Sequence, residues 1–351
     1  MWSTPTKYTT IDRETTPLAL LALGLCLGLC GFAIAGCAGA PKLALDTKLD
    51  GGSEVRWLAG DSLLAVALLG RGVAIVGAND GEERAAWRLP TLPPYAAHGL
   101  AASAGGETLA VATYDSVRVV RARDGTQLMA TPGGGRTLAL SGDGGELAWS
   151  DGTFGRVVET HDGRIRWQGR MPAQSHGLAW SPASGAFAWT DTRLVRFLGG
   201  PTVGQPGADP ADDTAADSAL VGELGPFMDA APTQLAFSAS GYTLAVAEST
   251  EYLSFWDTRK YRMSWRLKLS GRARFERMAM SPDAWYVATA HEGRSRLLWA
   301  YTGRKVADWV PHAGAAVRDL AFSTDGRRLA TVGADGHLRV WIVPAAQRER
   351  R

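Results

Sequence analysis

Short apolar runs and turn residues alternate along this chain. "LAFSTDGRRLATVGADGHLRVW", Leu320 to Trp341, shows the pattern most clearly. Alternating apolar positions flank Thr324-Asp325-Gly326 and again Ala334-Asp335-Gly336, and Asp-Gly accepts the positive backbone angles of tight turns. The pattern predicts three strands over 320–323, 328–332 and 337–342, joined by turns without a helix. Three strands cannot close a core alone, so the unit needs neighbours.

Neighbours are present throughout the chain. Counterparts of Leu320 begin at Val55, Leu100, Leu138, Leu178, Leu235 and Met278, spaced 45, 38, 40, 57, 43 and 42 residues apart up to Leu320. Nine and ten positions after each start stands a larger apolar residue followed by alanine: Leu64-Ala65, Leu109-Ala110, Leu147-Ala148, Phe187-Ala188, Leu244-Ala245, Val287-Ala288 and Leu329-Ala330. Trp256, Trp299 and Trp341 each fall 21 positions after their own start, and Trp87, Trp167, Trp265 and Trp309 mark a fourth strand. Four strands per unit, repeated seven times, predict an all-β, seven-bladed propeller of antiparallel blades over residues 38–344. Only three strands remain for the last unit, and Lys42 to Leu49, "KLALDTKL", has no other partner. It is expected to close the ring as the outer strand of blade seven, protecting an otherwise open edge.

On these residues the chain resembles the WD-repeat family. His312, Asp335 and Trp341 occupy positions of that family's structural hydrogen-bond set, with Gly333 where serine is usual; Trp256 and Trp299 mark the same strand in blades five and six. Blades one to three, with "NDGEERAAW" and "HDGRIRW", are closer to quinoprotein-type repeats. The resemblance implies a propeller and a structural role for these residues, and specifies function poorly.

Composition is that of a globular protein, with 46% hydrophobic and 21% charged residues, and a net charge of +2 gives no general reason to expect nucleic acid. Cys26, Cys30 and Cys37 are the only cysteines, so the propeller can form no disulfide. Leu18 to Gly36 is 19 residues without a charge, long enough as a helix to span about 28 Å at ~1.5 Å per residue. Residues 1–37 are therefore expected to be a signal or membrane anchor. Ile34-Ala35-Gly36-Cys37 resembles a bacterial lipobox, which implies cleavage and acylation at Cys37; an uncleaved anchor and a buried core helix are the alternatives. Residues 199–219 read as an inserted acidic loop and 345–351 as a basic tail. Nine acidic and no basic residues between Phe197 and Thr258, followed by 19 basic and eight acidic from Arg259 onward, predict a charge dipole around the ring.

Candidate chemistry follows from the fold. Inner strands line a propeller's channel, and the residues two before each start are Ser53, His98, Arg136, His176, Thr233, Glu276 and Arg318. His98, Arg136, His176, Glu276 and Arg318 form a candidate interaction surface able to pair an anion or acidic side chain. Arg259, Lys260, Arg262, Arg266, Lys268, Arg272 and Arg274, interleaved with aromatic residues, form a candidate basic patch suited to anionic headgroups or an acidic partner. Its plainer reading is an outer strand alternating inward Trp and Leu with outward cations. Neither HxH nor HxxxH spacing, Walker A, GxSxG nor paired carboxylates occur, so no metal, cofactor or catalytic set is expected. The expectation is a non-catalytic, membrane-tethered scaffold for other proteins on the outer side of a bacterial membrane. A propeller lipoprotein of outer-membrane protein assembly, whose family typically has eight blades, and an exported enzyme or ligand sensor using the channel mouth are the alternatives.

Overall fold

The computed structural model describes residues 40–87, 99–135, 137–171, 177–182, 184–199, 220–227, 230–249, 252–269 and 275–345. The apolar run Leu18 to Gly36, Cys37, the loop at 200–219 and the tail from 346 lie outside the described residues. Within them, no helix is long and apolar enough to cross a membrane.

Seven four-stranded antiparallel sheets form, each from strands consecutive in the chain except the last. The inner strands of blades one to seven are Gly52–Trp57, Gly99–Ala102, Thr137–Leu140, Leu178–Trp180, Pro232–Phe237, Arg277–Met280 and Val317–Phe322. Blade seven takes its outer strand, Lys42–Lys48, from the other end of the chain, paired from Lys42 opposite Ile342 to Lys48 opposite His337.

The cores lie between blades. There are seven apolar clusters, one per seam, and the repeated pair on the second strand explains how they are filled. Successive strand residues point to opposite faces. Leu64 therefore packs against blade seven and Ala65 against blade two; Leu244 packs against blade four and Ala245 against blade six. The larger residue faces the preceding blade and the alanine the following one in all seven units. Both members of the pair are fully buried in most blades, so each leucine contributes roughly 1.5–3 kcal/mol of burial.

Blade seven carries a buried polar chain. His312, with no exposed surface, meets Asp335 Oδ1 through Nδ1 at 2.9 Å and Thr331 Oγ1 through Nε2 at 3.0 Å, and Trp341 Nε1 donates to the same hydroxyl at 3.0 Å. Thr331 is the member that the sequence reading missed. Arg339 continues the chain to the closing strand, donating to Asp335 Oδ2 at 2.6 Å and Asp46 Oδ2 at 3.0 Å, while His337 Nδ1 lies 2.6 Å from Asp46 Oδ1. In blade five Trp256 Nε1 donates instead to Ser254 Oγ at 3.0 Å, and in blade six Trp299 packs at 4.8 Å on the ring of Tyr286.

Candidate functional site: the channel mouth

At the end where the inner strands begin, the channel opens into a cavity of about 730 Å³. The residue immediately before each unit's start lines it in all seven blades: Glu54, Gly99, Thr137, Gly177, Gln234, Arg277 and Asp319. This ring stands one position later than the ring read from the sequence. In three blades strand geometry supplies the reason. Blades one, five and seven each carry a register shift at the head of the inner strand, leaving Ser53, Thr233 and Arg318 unpaired in the ladder. Ser53 Oγ donates to Ala67 O at 3.1 Å, Thr233 Oγ1 to Ala247 O at 3.0 Å, and Arg318 Nη1 to Gly52 O at 3.0 Å. Thr233 still borders the cavity; Ser53 and Arg318 do not line it.

Ring residues with a long side chain reach across to the next blade. Glu54 Oε2 accepts the Leu100 amide at 2.6 Å; Gln234 Nε2 donates to Glu276 O at 3.0 Å; Arg277 Nε lies 3.8 Å from Asp319 Oδ1; Asp319 Oδ2 accepts the Val55 amide at 3.0 Å. Arg56 ties two of them together, donating to Asp319 Oδ2 at 2.5 Å and to Glu54 Oε2 at 3.3 Å. Two carboxylates thus share one guanidinium at the blade one–seven seam. Only 16% of the Glu54 side-chain surface is accessible. Burial pushes its carboxyl up from 4.5 to about 7, the nearby Asp319 charge adding to the rise and Arg56 opposing it. Asp319 and Glu54 in turn raise the Arg56 guanidinium against the effect of its burial.

Glu276 lies on the cavity wall, its Oε1 accepting the Glu292 amide at 3.2 Å, while its Oε2 and the Thr137 hydroxyl are buried without a hydrogen-bond partner. His98, Arg136 and His176 lie outside the described residues. Glu248, wholly buried at the same mouth, pairs with Arg266 through Nε–Oε1 at 3.0 Å and Nη2–Oε2 at 2.5 Å. The guanidinium also lies 3.8 Å from the Tyr252 ring centre.

The described residues of the basic run are spread along one strand and the turn before it. Arg262–Lys268 is the outer strand of blade five, about 20 Å long at ~3.3 Å per residue. Arg259 pairs with Asp257 and lies 4.8 Å over Tyr242 at one end, beside Lys260 and Arg262; Arg266 and Lys268 sit with Tyr252 toward the other. Arg272 and Arg274 lie outside the described residues. Elsewhere, Glu159, His161 and Asp162 bring donor atoms within 4.8 Å, but Arg164 and Arg166 already hold Glu159.

Residues 303–341 match the family described as WD domain, G-beta repeat. Among solved structures, the β-propeller domain of Cps50 (Swd1) from Myceliophteria thermophila superposes with a TM-score of 0.70 at 13% identity, covering 85% of this chain and 100% of that one. A chain of the Mitotic Checkpoint Complex superposes with a TM-score of 0.71 at 18% identity, covering 93% and 99%. Likeness at this identity establishes the fold, which 1824 solved chains share. No curated protein sequence matches the chain.

Proposed function

We propose that this protein is a non-catalytic interaction scaffold, held at a bacterial envelope membrane through its N-terminal segment, with the channel mouth as its docking surface. The observation that carries the reading is the mouth itself, a polar cavity to which all seven blades contribute and whose strongest ions are already paired with each other. Such a surface offers a partner hydrogen bonds and, among the described residues, the exposed cation Arg277, on a rigid frame. WD-type propellers commonly serve as platforms for other proteins, which agrees with this use.

Crosslinking in intact cells followed by mass spectrometry tests it, comparing the natural chain with Arg277→Glu at the mouth and Arg123→Glu on a distant exposed turn. A partner lost with the first and kept with the second supports the reading; a partner set indifferent to Arg277→Glu overturns it. The tether has its own test: Cys37→Ala is expected to abolish palmitate labelling, and unchanged labelling removes the lipoprotein reading. A second reading, a small-ligand sensor, rests on the cavity volume and the unpartnered oxygen of Glu276.

A further inference from the structure

In every blade of this antiparallel ring the turns joining strands one and two lie at one end, and strand three runs back toward that end. These ends form a single face. Ala104 N donates to Gly142 O and Ala239 N to Pro282 O, both at 2.9 Å, while Thr324 N donates to Asp61 Oδ1 at 2.8 Å, each bond joining the turns of adjacent blades. The chain enters the ring on this face, because Lys42 pairs with Ile342 at the foot of blade seven and Val343 N donates to Arg327 O at 2.8 Å. The channel mouth is at the opposite end.

The face is divided in chemistry. Beneath blades five to seven, Tyr242 and Tyr301 are 48% and 59% exposed, and Trp285 packs edge-on against Tyr301 at 5.7 Å. Lys260, Lys305 and Arg327 stand exposed around them. Of the acidic residues of these turns, Asp257 pairs with Arg259, while Asp283 Oδ1 accepts Ser281 Oγ at 2.6 Å and Trp285 N at 3.1 Å and Asp325 Oδ1 accepts Ser323 Oγ at 2.6 Å and Arg327 N at 2.9 Å. Asp143 Oδ1 likewise accepts Ser141 Oγ and Gly145 N in the other half. Beneath blades one to three the same face exposes Asp80, Glu82, Glu107, Asp124, Asp143 and Asp162, with the fewer cations Arg84, Arg121, Arg123 and Arg164 paired to acidic residues of these turns.

We infer that the half-face beneath blades five to seven rests on an anionic bilayer surface, turning the channel mouth away from it. Amphipathic aromatic rings favour the headgroup level and exposed cations favour anionic lipid, whereas the acidic half is repelled. The inference rests on the proposed tether, which adds a covalent constraint: Gly36 precedes Lys42 by six positions, at most about 20 Å of extended chain.

Hydroxyl-radical footprinting of the full chain tests it, in detergent, in neutral phosphatidylcholine nanodiscs and in nanodiscs containing phosphatidylglycerol. Tyr114, 66% exposed on a turn at the opposite end, is the internal reference. Labelling of Tyr242 and Tyr301 is expected to fall several-fold in anionic discs with Tyr114 unchanged, and Lys260→Glu with Arg327→Glu is expected to restore it. A chain that fails to enter discs overturns the tether and this inference together. A chain that enters, yet labels Tyr301 as freely as in detergent, overturns the orientation alone. Protection of Tyr301 that is equal in neutral discs and indifferent to charge reversal overturns headgroup recognition. Protection by added polyglutamate but by no disc assigns the face to an acidic protein and overturns the bilayer reading.

Discussion

Replacing Glu54 by glutamine removes one buried negative charge and keeps an acceptor for the Leu100 amide. The folded protein holds a proton on Glu54 up to about pH 7, whereas the unfolded chain releases it near 4.5. Between those values the folded state binds more protons, so stability falls as pH rises through the window. At ~1.4 kcal/mol per tenfold change in proton affinity, the difference amounts to about 3 kcal/mol of stability missing above pH 7 and present below pH 4.5. The remedy lies in the substitution: Glu54→Gln carries no charge at any pH, and Arg56 keeps its 2.5 Å contact with Asp319.

Other groups titrate in the same range, and burial holds His312 below its usual 6.5, which acts with the opposite sign. The comparison with the natural chain removes them. Urea unfolding of detergent-solubilised full chain, followed by tryptophan fluorescence, gives the stability at pH 5 and pH 8.5. Glu54→Gln should approach the natural protein at pH 5 and exceed it by as much as ~3 kcal/mol at pH 8.5. Parallel pH profiles for the two proteins would refute the reasoning, because they would show that Glu54 does not change its charge on unfolding in this window.

Leu147→Ala should cost about 2–5 kcal/mol through a cavity at the blade two–three seam, and Ala148→Leu about 1–3 kcal/mol by overfilling the next seam, both read by thermal unfolding. Gly333→Ala is expected to destabilise blade seven, since a Cβ there would lie 2.2 Å from His312 Nδ1 and 2.6 Å from Asp335 Oδ1; a melting temperature equal to the natural protein's would count against this packing. Arg266→Met leaves the buried Glu248 carboxylate without its partner and should cost about 3–5 kcal/mol, while Lys260→Met on an exposed turn should stay within about 0.5 kcal/mol; similar effects would restore a single functional patch.

The strands were legible because their signal is local and repeated. The apolar-alanine pair of each second strand reports two seams at once, the large residue packing backward and the small one forward, so the register of seven blades shows without knowledge of any contact. Trp256, Trp299 and Trp341 share a position for the same reason, yet their partners differ, Ser254 in one blade, Tyr286 in another and Thr331 in the third. A tryptophan at fixed spacing marks a strand. Which hydroxyl its ring finds depends on the neighbouring strand, and no single-blade pattern contains that.

In blades one, five and seven the bridging residue at the mouth stands one position later than the count gives, because a bulge has no composition signal here. Counting back by two from Val55, Leu235 and Leu320 assumes an unbroken ladder, and in those blades the ladder breaks at that residue. The extra residue turns its side chain back to its own blade or the adjacent seam and moves the one after it toward the channel, which puts Glu54, Gln234 and Asp319 where they bridge to the next blade. A physical trace of this remains in the sequence once it is sought. Glu, Gln, Arg and Asp stand directly before the apolar start of the inner strand at 54, 234, 277 and 319, where a partly buried polar side chain is favourable only if a neighbour satisfies it. Polar residues at the head of an inner strand are in this fold the mark of contacts between blades, and the channel mouth is built from those contacts.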